Sequence, residues 1–135
     1  MMSRKKFGFT LVELMVVAVI VAILAAVAIP LMSANKKRAM STEAEAALGQ
    51  MRTALRAMYA ETQTYASNYN GQAISTITNI PGMSPSDLDG KYFVSGNYSV
   101  SVTPTTYTLT AVGAGQLAGV TITLNQDGNF ARSGL

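Results

Sequence analysis

Residues 14–29 are sixteen consecutive apolar residues, and extending back to Phe9 gives twenty-one positions broken only by Thr10 and Glu13. As a helix that stretch is about 30 Å long, enough to cross the hydrocarbon layer of a bilayer. One carboxylate, Glu13, stands near its start. A charged group in such a segment is costly in lipid and marks a function, with a partner that neutralises it. What Glu13 pairs with is the central question this chain poses.

Outside this segment the composition is that of a small polar domain. The net charge of +3 is local, because Arg4, Lys5 and Lys6 precede the apolar run while the remaining seven basic residues balance seven acidic ones. A basic surface for nucleic acid is therefore not indicated. The stub reads as a topological signal at the cytoplasmic face. Lys36, Lys37 and Arg38 lie past the other end of the run, so the count of positive charges alone does not fix orientation. The chain has no cysteine and no histidine. Disulfides and Cys/His zinc sites are thereby excluded.

Four zones follow along the chain. Residues 1–8 form a basic leader. Residues 9 to about 62 read as one helix, apolar all round in its first part (9–30) and amphipathic in its second. Ala44, Leu48, Met51, Leu55 and Met58 recur at spacings of four and three, which predicts one face packed under a domain. Pro30 lies inside this helix, removing a backbone hydrogen bond and crowding the preceding turn, so a kink is expected there. Gly49 is read as a tolerated blemish. Residues 63–90 form a Ser/Thr/Asn/Gly-rich connection with a short helical turn expected at 84–88. In residues 91–135 the period becomes two, with strands expected at 92–94, 98–102, 107–111 and 120–124. Short connections predict an antiparallel meander with one apolar face, which the helix stripe would cover. The expected fold is α+β: a long N-terminal helix packed by its C-terminal half on a four-stranded antiparallel sheet, with residues 31–135 as the globular head.

Lys5-Lys6-Phe7-Gly8, then Phe9-Thr10-Leu11-Val12-Glu13-Leu14, then an apolar run ending in Ile29-Pro30, resembles the class III signal of type IV pilins and type II secretion pseudopilins. The likeness covers about thirty residues. It implies that a membrane prepilin peptidase/methyltransferase cuts between Gly8 and Phe9 and methylates Phe9. It also implies a structural role: a homopolymer, assembled by inner-membrane machinery, that moves from single-pass membrane protein to pilus at the cell surface. Adhesion and motility are roles found in that family. Physical reasons accompany each part. Glycine lets an extended backbone enter a narrow protease cleft. Cleavage creates a positive amine that can meet Glu13 of a neighbouring copy in the fibre core, where an unpaired carboxylate would be penalised.

A pseudopilin of a type II secretion system is the alternative within this class. A different class, a soluble periplasmic binding domain, would use residues 1–29 as an ordinary export signal. Ala26-Val27-Ala28 is compatible with such a cleavage site, and that reading predicts a mature chain beginning at Ile29. Glu13 interrupting the apolar region argues against it.

Other motifs carry less. Asp87 and Asp89 supply too few oxygens for a dedicated calcium site, and residues 125–129 resemble part of a calcium loop but lack a glutamate at the right offset and read as a hairpin turn. Asn97-Tyr98-Ser99 matches a glycosylation sequon but falls at an expected strand. Tyr59, Tyr65 and Tyr69 are explained by packing. No catalytic constellation, cofactor-binding loop or metal-ligand cluster is recognised, so an enzyme is not expected.

Overall fold

The computed structural model describes residues 8–65, 69–77 and 80–135. Residues 1–7 of the leader, and parts of the connecting region, lie outside the described residues. The chain divides into two units, Met1–Asn35 and Lys36–Leu135.

In the first unit, helix α1 (Leu11–Thr62) begins. Its large apolar side chains, from Leu11 to Met32, are all more than half exposed, Ile20 least at 52%, and Phe9 just ahead of the helix is 85% exposed. The helix continues through Pro30, and the Ser33 hydroxyl donates to the Pro30 carbonyl at 2.9 Å.

In the second unit, α1 turns a continuous apolar stripe inward. Met40, Ala44, Ala47, Leu48, Met51, Ala54, Leu55 and Met58 are buried in one cluster with residues of the sheet. The helix stops at Thr62 because Gln63 adopts a positive φ of 58°, a conformation that cannot continue a helix. The Gln63 N–H still reaches the Tyr59 carbonyl, at 2.8 Å, which closes the last turn.

Five strands pack against this helix as an antiparallel meander in sequence order. They are β1 (Gln72–Ala73), β2 (Tyr98–Val102), β3 (Tyr107–Val112), β4 (Thr121–Asn125) and β5 (Phe130–Ser133). Register aligns Val100, Leu109 and Leu124 across β2–β4, and Tyr98, Ala111 and Ile122 in the next buried row. Alternation of these with Ser and Thr gives one buried and one solvated face, the pattern of a sheet covered on one side. The Tyr98 hydroxyl is buried without a hydrogen-bond partner among the described residues. Burial, then the nearby Glu43 and Asp89 carboxylates, push its phenol pKa up.

The sheet corrects the four-strand expectation. Residues 92–94 do not form a strand, because the N–H groups of Lys91, Tyr92 and Phe93 are already bound to the Glu43 carboxylate and that of Val94 to Asn97 Oδ1. With their N–H groups committed, these residues have no free donor for a ladder. The two additional strands are both edges. β1 is two residues from the connecting region, paired with Val100 and Ser99. β5 follows the turn at residues 125–129, where Gly128 donates to the Asn125 carbonyl at 3.0 Å and Asn129 to Asn125 Oδ1 at 2.9 Å. The expected helical turn is present as a 3₁₀ segment, Pro85–Leu88.

Candidate functional site

The start of α1 is built by Thr10 and Glu13. Thr10 precedes the first helical residue, and its hydroxyl oxygen accepts the Glu13 N–H at 3.2 Å. In return Glu13 Oε2 accepts the Thr10 N–H and the Thr10 hydroxyl, each at 2.8 Å. This is a reciprocal capping box, which satisfies donors that the first turn of a helix leaves orphaned. A threonine followed three residues later by glutamate before an apolar run is legible in sequence, but sequence reasoning looked for the partner of Glu13 only on a neighbouring copy and missed this one within the chain. The carboxylate also sits at the positive end of the helix dipole, which favours it further.

Oε2 thus carries both local bonds, while Oε1 has no hydrogen-bond partner among the described residues. Glu13 can hold the helix start and still present an acceptor and a negative charge outward. Gly8 and Phe9 precede this box with no helical structure. A Cβ placed on Gly8 would meet nothing within 4 Å among the described residues, so their packing does not require glycine there.

The remaining residues singled out in sequence lie elsewhere. Leu48, Met51, Leu55 and Met58 are buried in the core of the second unit, at 6% exposure or less. Asp87 and Asp89 are each spent on the backbone: Asp87 Oδ2 accepts the Ser84 N–H at 2.8 Å and Asp89 Oδ1 the Ser95 N–H at 2.6 Å. The Ser95 bonds hold the Asp89 carboxyl below the usual range. Among the described residues no three acidic side chains gather as a metal site. Tyr59, Tyr65 and Tyr107 pack in series, the first pair tilted and the second edge to face, with ring centroids 4.7 and 5.0 Å apart. Asn97 closes the 3₁₀ segment Ser95–Asn97, its side chain accepting the Val94 N–H.

Sequence reasoning missed Glu43. Its carboxylate leaves α1 and accepts three successive backbone N–H groups, from Lys91 at 3.1 Å and from Tyr92 and Phe93 at 2.8 Å. Gly90 permits the approach, since a Cβ there would fall 2.3 Å from Glu43 Oε1. Nothing local in the sequence marks this contact.

Residues 3–29 match the family model of the prokaryotic N-terminal methylation motif. The chain therefore carries the class III signal found on type IV pilins and pseudopilins, and this signal spans the capping box and the exposed apolar part of α1. The motif points to a structural subunit processed by a prepilin peptidase and assembled into a pilus-like polymer, with an apolar helix suited to a membrane before assembly. No curated protein matches the chain.

Proposed function

We propose that the chain is the structural subunit of a type IV pilus filament at the cell surface. The observation that supports this best is the coincidence of a methylation motif at residues 3–29 with a helix whose large apolar side chains, from Leu11 to Met32, are all more than half exposed. Such a surface has two suitable environments, lipid and other copies of itself. Lipid is as apolar as these side chains, so transfer from one to the other must draw on packing and charge neutralisation.

Cleavage after Gly8 frees a positive amine on Phe9, which is then methylated. The amine of one subunit meets Glu13 of its neighbour through the uncommitted Oε1, and this pairing fixes axial register more than it adds net stability. Pro30, which offers no N–H to the Ala26 carbonyl, provides a bend or a melted turn as helices 9–30 pack in the fibre core. The head, residues 31–135, remains outside. Before assembly the chain spans the inner membrane once, with the leader in the cytoplasm, and inner-membrane assembly machinery extracts it.

Electron microscopy of sheared cell-surface material, with mass analysis of the subunit, tests this reading. Long fibres made of a subunit beginning at methylated Phe9 are expected. Fibres confined to short stubs associated with a secretion system would make the chain a pseudopilin instead. A mature chain beginning at Ile29 would end the filament reading altogether.

A further inference from the structure

Lys36, Lys37 and Arg38 are three adjacent cations that make no ion pair among the described residues. Residues three and four positions away on a helix are its surface neighbours. For these three the neighbours are Met32, Ser33, Ala34, Asn35, Ala39, Met40, Ser41 and Thr42, none of them acidic. The next two carboxylates along α1 are engaged elsewhere, Glu43 by the 91–93 backbone and Glu45 by Arg132 at 2.5 Å. That Arg132–Glu45 contact is the one ion pair among the described residues. Three like charges in a row on one helix repel, and no ion pair among the described residues offsets that.

Their position in the sequence selects the missing anion. The apolar part of α1, from Leu11 to Met32, is 22 residues, about 33 Å at 1.5 Å per residue. A bilayer has a hydrocarbon layer of about 30 Å and a total thickness of 40–45 Å with its headgroups, leaving roughly 5–8 Å of headgroup on each side. Residues 36–38 follow Met32 by four to six positions, about 6–9 Å of helix. That is the depth of the lipid phosphates. Successive residues on a helix turn by about 100°, so the three side chains fan over about 200° of its circumference. Arg38 also lines an open recess of about 500 Å³ with Ser41, Thr42, Arg132, the C-terminal Leu135 and Glu45, whose carboxylate is held by Arg132. A guanidinium there is suited to bidentate contact with a phosphate, and the two ammonium groups act as flexible point charges.

We propose that Lys36, Lys37 and Arg38 form a collar that binds the phosphate headgroups of anionic phospholipids while the chain is in the bilayer. The collar rests on the membrane-spanning state of the proposed function, and not on whether the final fibre is a pilus or a pseudopilus. It holds the span at a fixed depth, and extraction into a fibre must break it.

The test uses the full chain in nanodiscs of equal phosphatidylglycerol and phosphatidylcholine, with retained lipids identified by native mass spectrometry. The leader cations act at the other face, so Arg4→Gln/Lys5→Gln/Lys6→Gln is the background for every comparison. In that background phosphatidylglycerol should be retained over phosphatidylcholine by about fivefold or more, since each basic residue at an anionic surface contributes a factor of about five. Adding Lys36→Gln/Lys37→Gln/Arg38→Gln should abolish the preference, and Lys36→Arg/Lys37→Arg should keep it. Circular dichroism of the glutamine variant checks that the head remains folded. Equal phosphatidylglycerol retention with and without the three collar cations would overturn the proposal. So would unchanged lipid retention combined with loss of fibres, which would assign the cations to contacts between subunits. Failure of the chain to insert into any nanodisc would instead remove the membrane-spanning reading itself, and the collar with it.

Discussion

The Phe93 N–H donates to Glu43 Oε1 at 2.8 Å across fifty positions of sequence. With the Tyr92 and Lys91 donors it makes one helix carboxylate the anchor of residues 91–93. Hydrogen bonds to a charged acceptor contribute about 1.5–3 kcal/mol each, and three sharing one carboxylate add less than their sum. Glu43→Ala should therefore lower stability by about 2–4 kcal/mol in chemical unfolding of the chain. Glu43→Gln, which keeps one acceptor oxygen, should cost about half as much. Gly90→Ala forces the Glu43 carboxylate away, so its cost should shrink when made in Glu43→Ala. Full additivity of the two substitutions would refute the contact.

Thr10 and Glu13 form a cap within one chain, whereas the proposed pairing with a neighbour needs the negative charge. Glu13→Gln retains an oxygen for the Thr10 N–H but removes the charge. It should leave the helix start and leader processing at Gly8 intact while impairing fibre formation. Thr10→Ala keeps the charge and should weaken the cap by about 1 kcal/mol, with fibres still forming. Fibres from Glu13→Gln indistinguishable from wild type would eliminate the charge pair.

Gly49 lies in the middle of α1, and a Cβ there would meet nothing within 4 Å. Glycine in a helix interior costs about 0.5–1 kcal/mol relative to alanine, partly through the freedom of the unfolded chain. Gly49→Ala should raise the thermal midpoint by a few degrees. A fall in the midpoint would mean that the open space at this position is used by something outside the single chain.

Arg132 on the edge strand β5 meets Glu45 of α1 at 2.5 Å. The Arg132 hydrogen bond holds the Glu45 carboxyl below its ordinary value of 4.5, with burial opposing. A depressed folded-state pKa contributes stability above the unfolded value that is lost as pH falls through the folded one. Both side chains are partly exposed, at 43% for Arg132 and 23% for Glu45, so solvent screens the pair and its contribution is small. Arg132→Gln should be slightly less stable than wild type at neutral pH. The difference should vanish in acid, once Glu45 is protonated. A difference that persists unchanged there would assign the effect to packing of the arginine stem on Phe130, where the guanidinium carbon lies 5.5 Å from the ring centre.

Sequence determined those features that local chemistry and periodicity encode. The apolar run, its acid and the leader glycine stand in one stretch, so the methylation signal is legible without a fold. Stripe residues Leu48, Met51, Leu55 and Met58 repeat with the turn of a helix and are buried, and β2, β3 and β4 alternate with the period of a strand. Tertiary structure decided whatever depends on partners distant in the chain. Residues 92–94 have strand composition, yet Glu43, about fifty positions earlier, takes the donors of Tyr92 and Phe93. β1 and β5 are short, and each exists because a neighbouring strand supplies its ladder. A side chain carries its own polarity wherever it is placed, but a backbone N–H is alike in every residue except proline. Which acceptor it finds is settled only when the chain has folded around it.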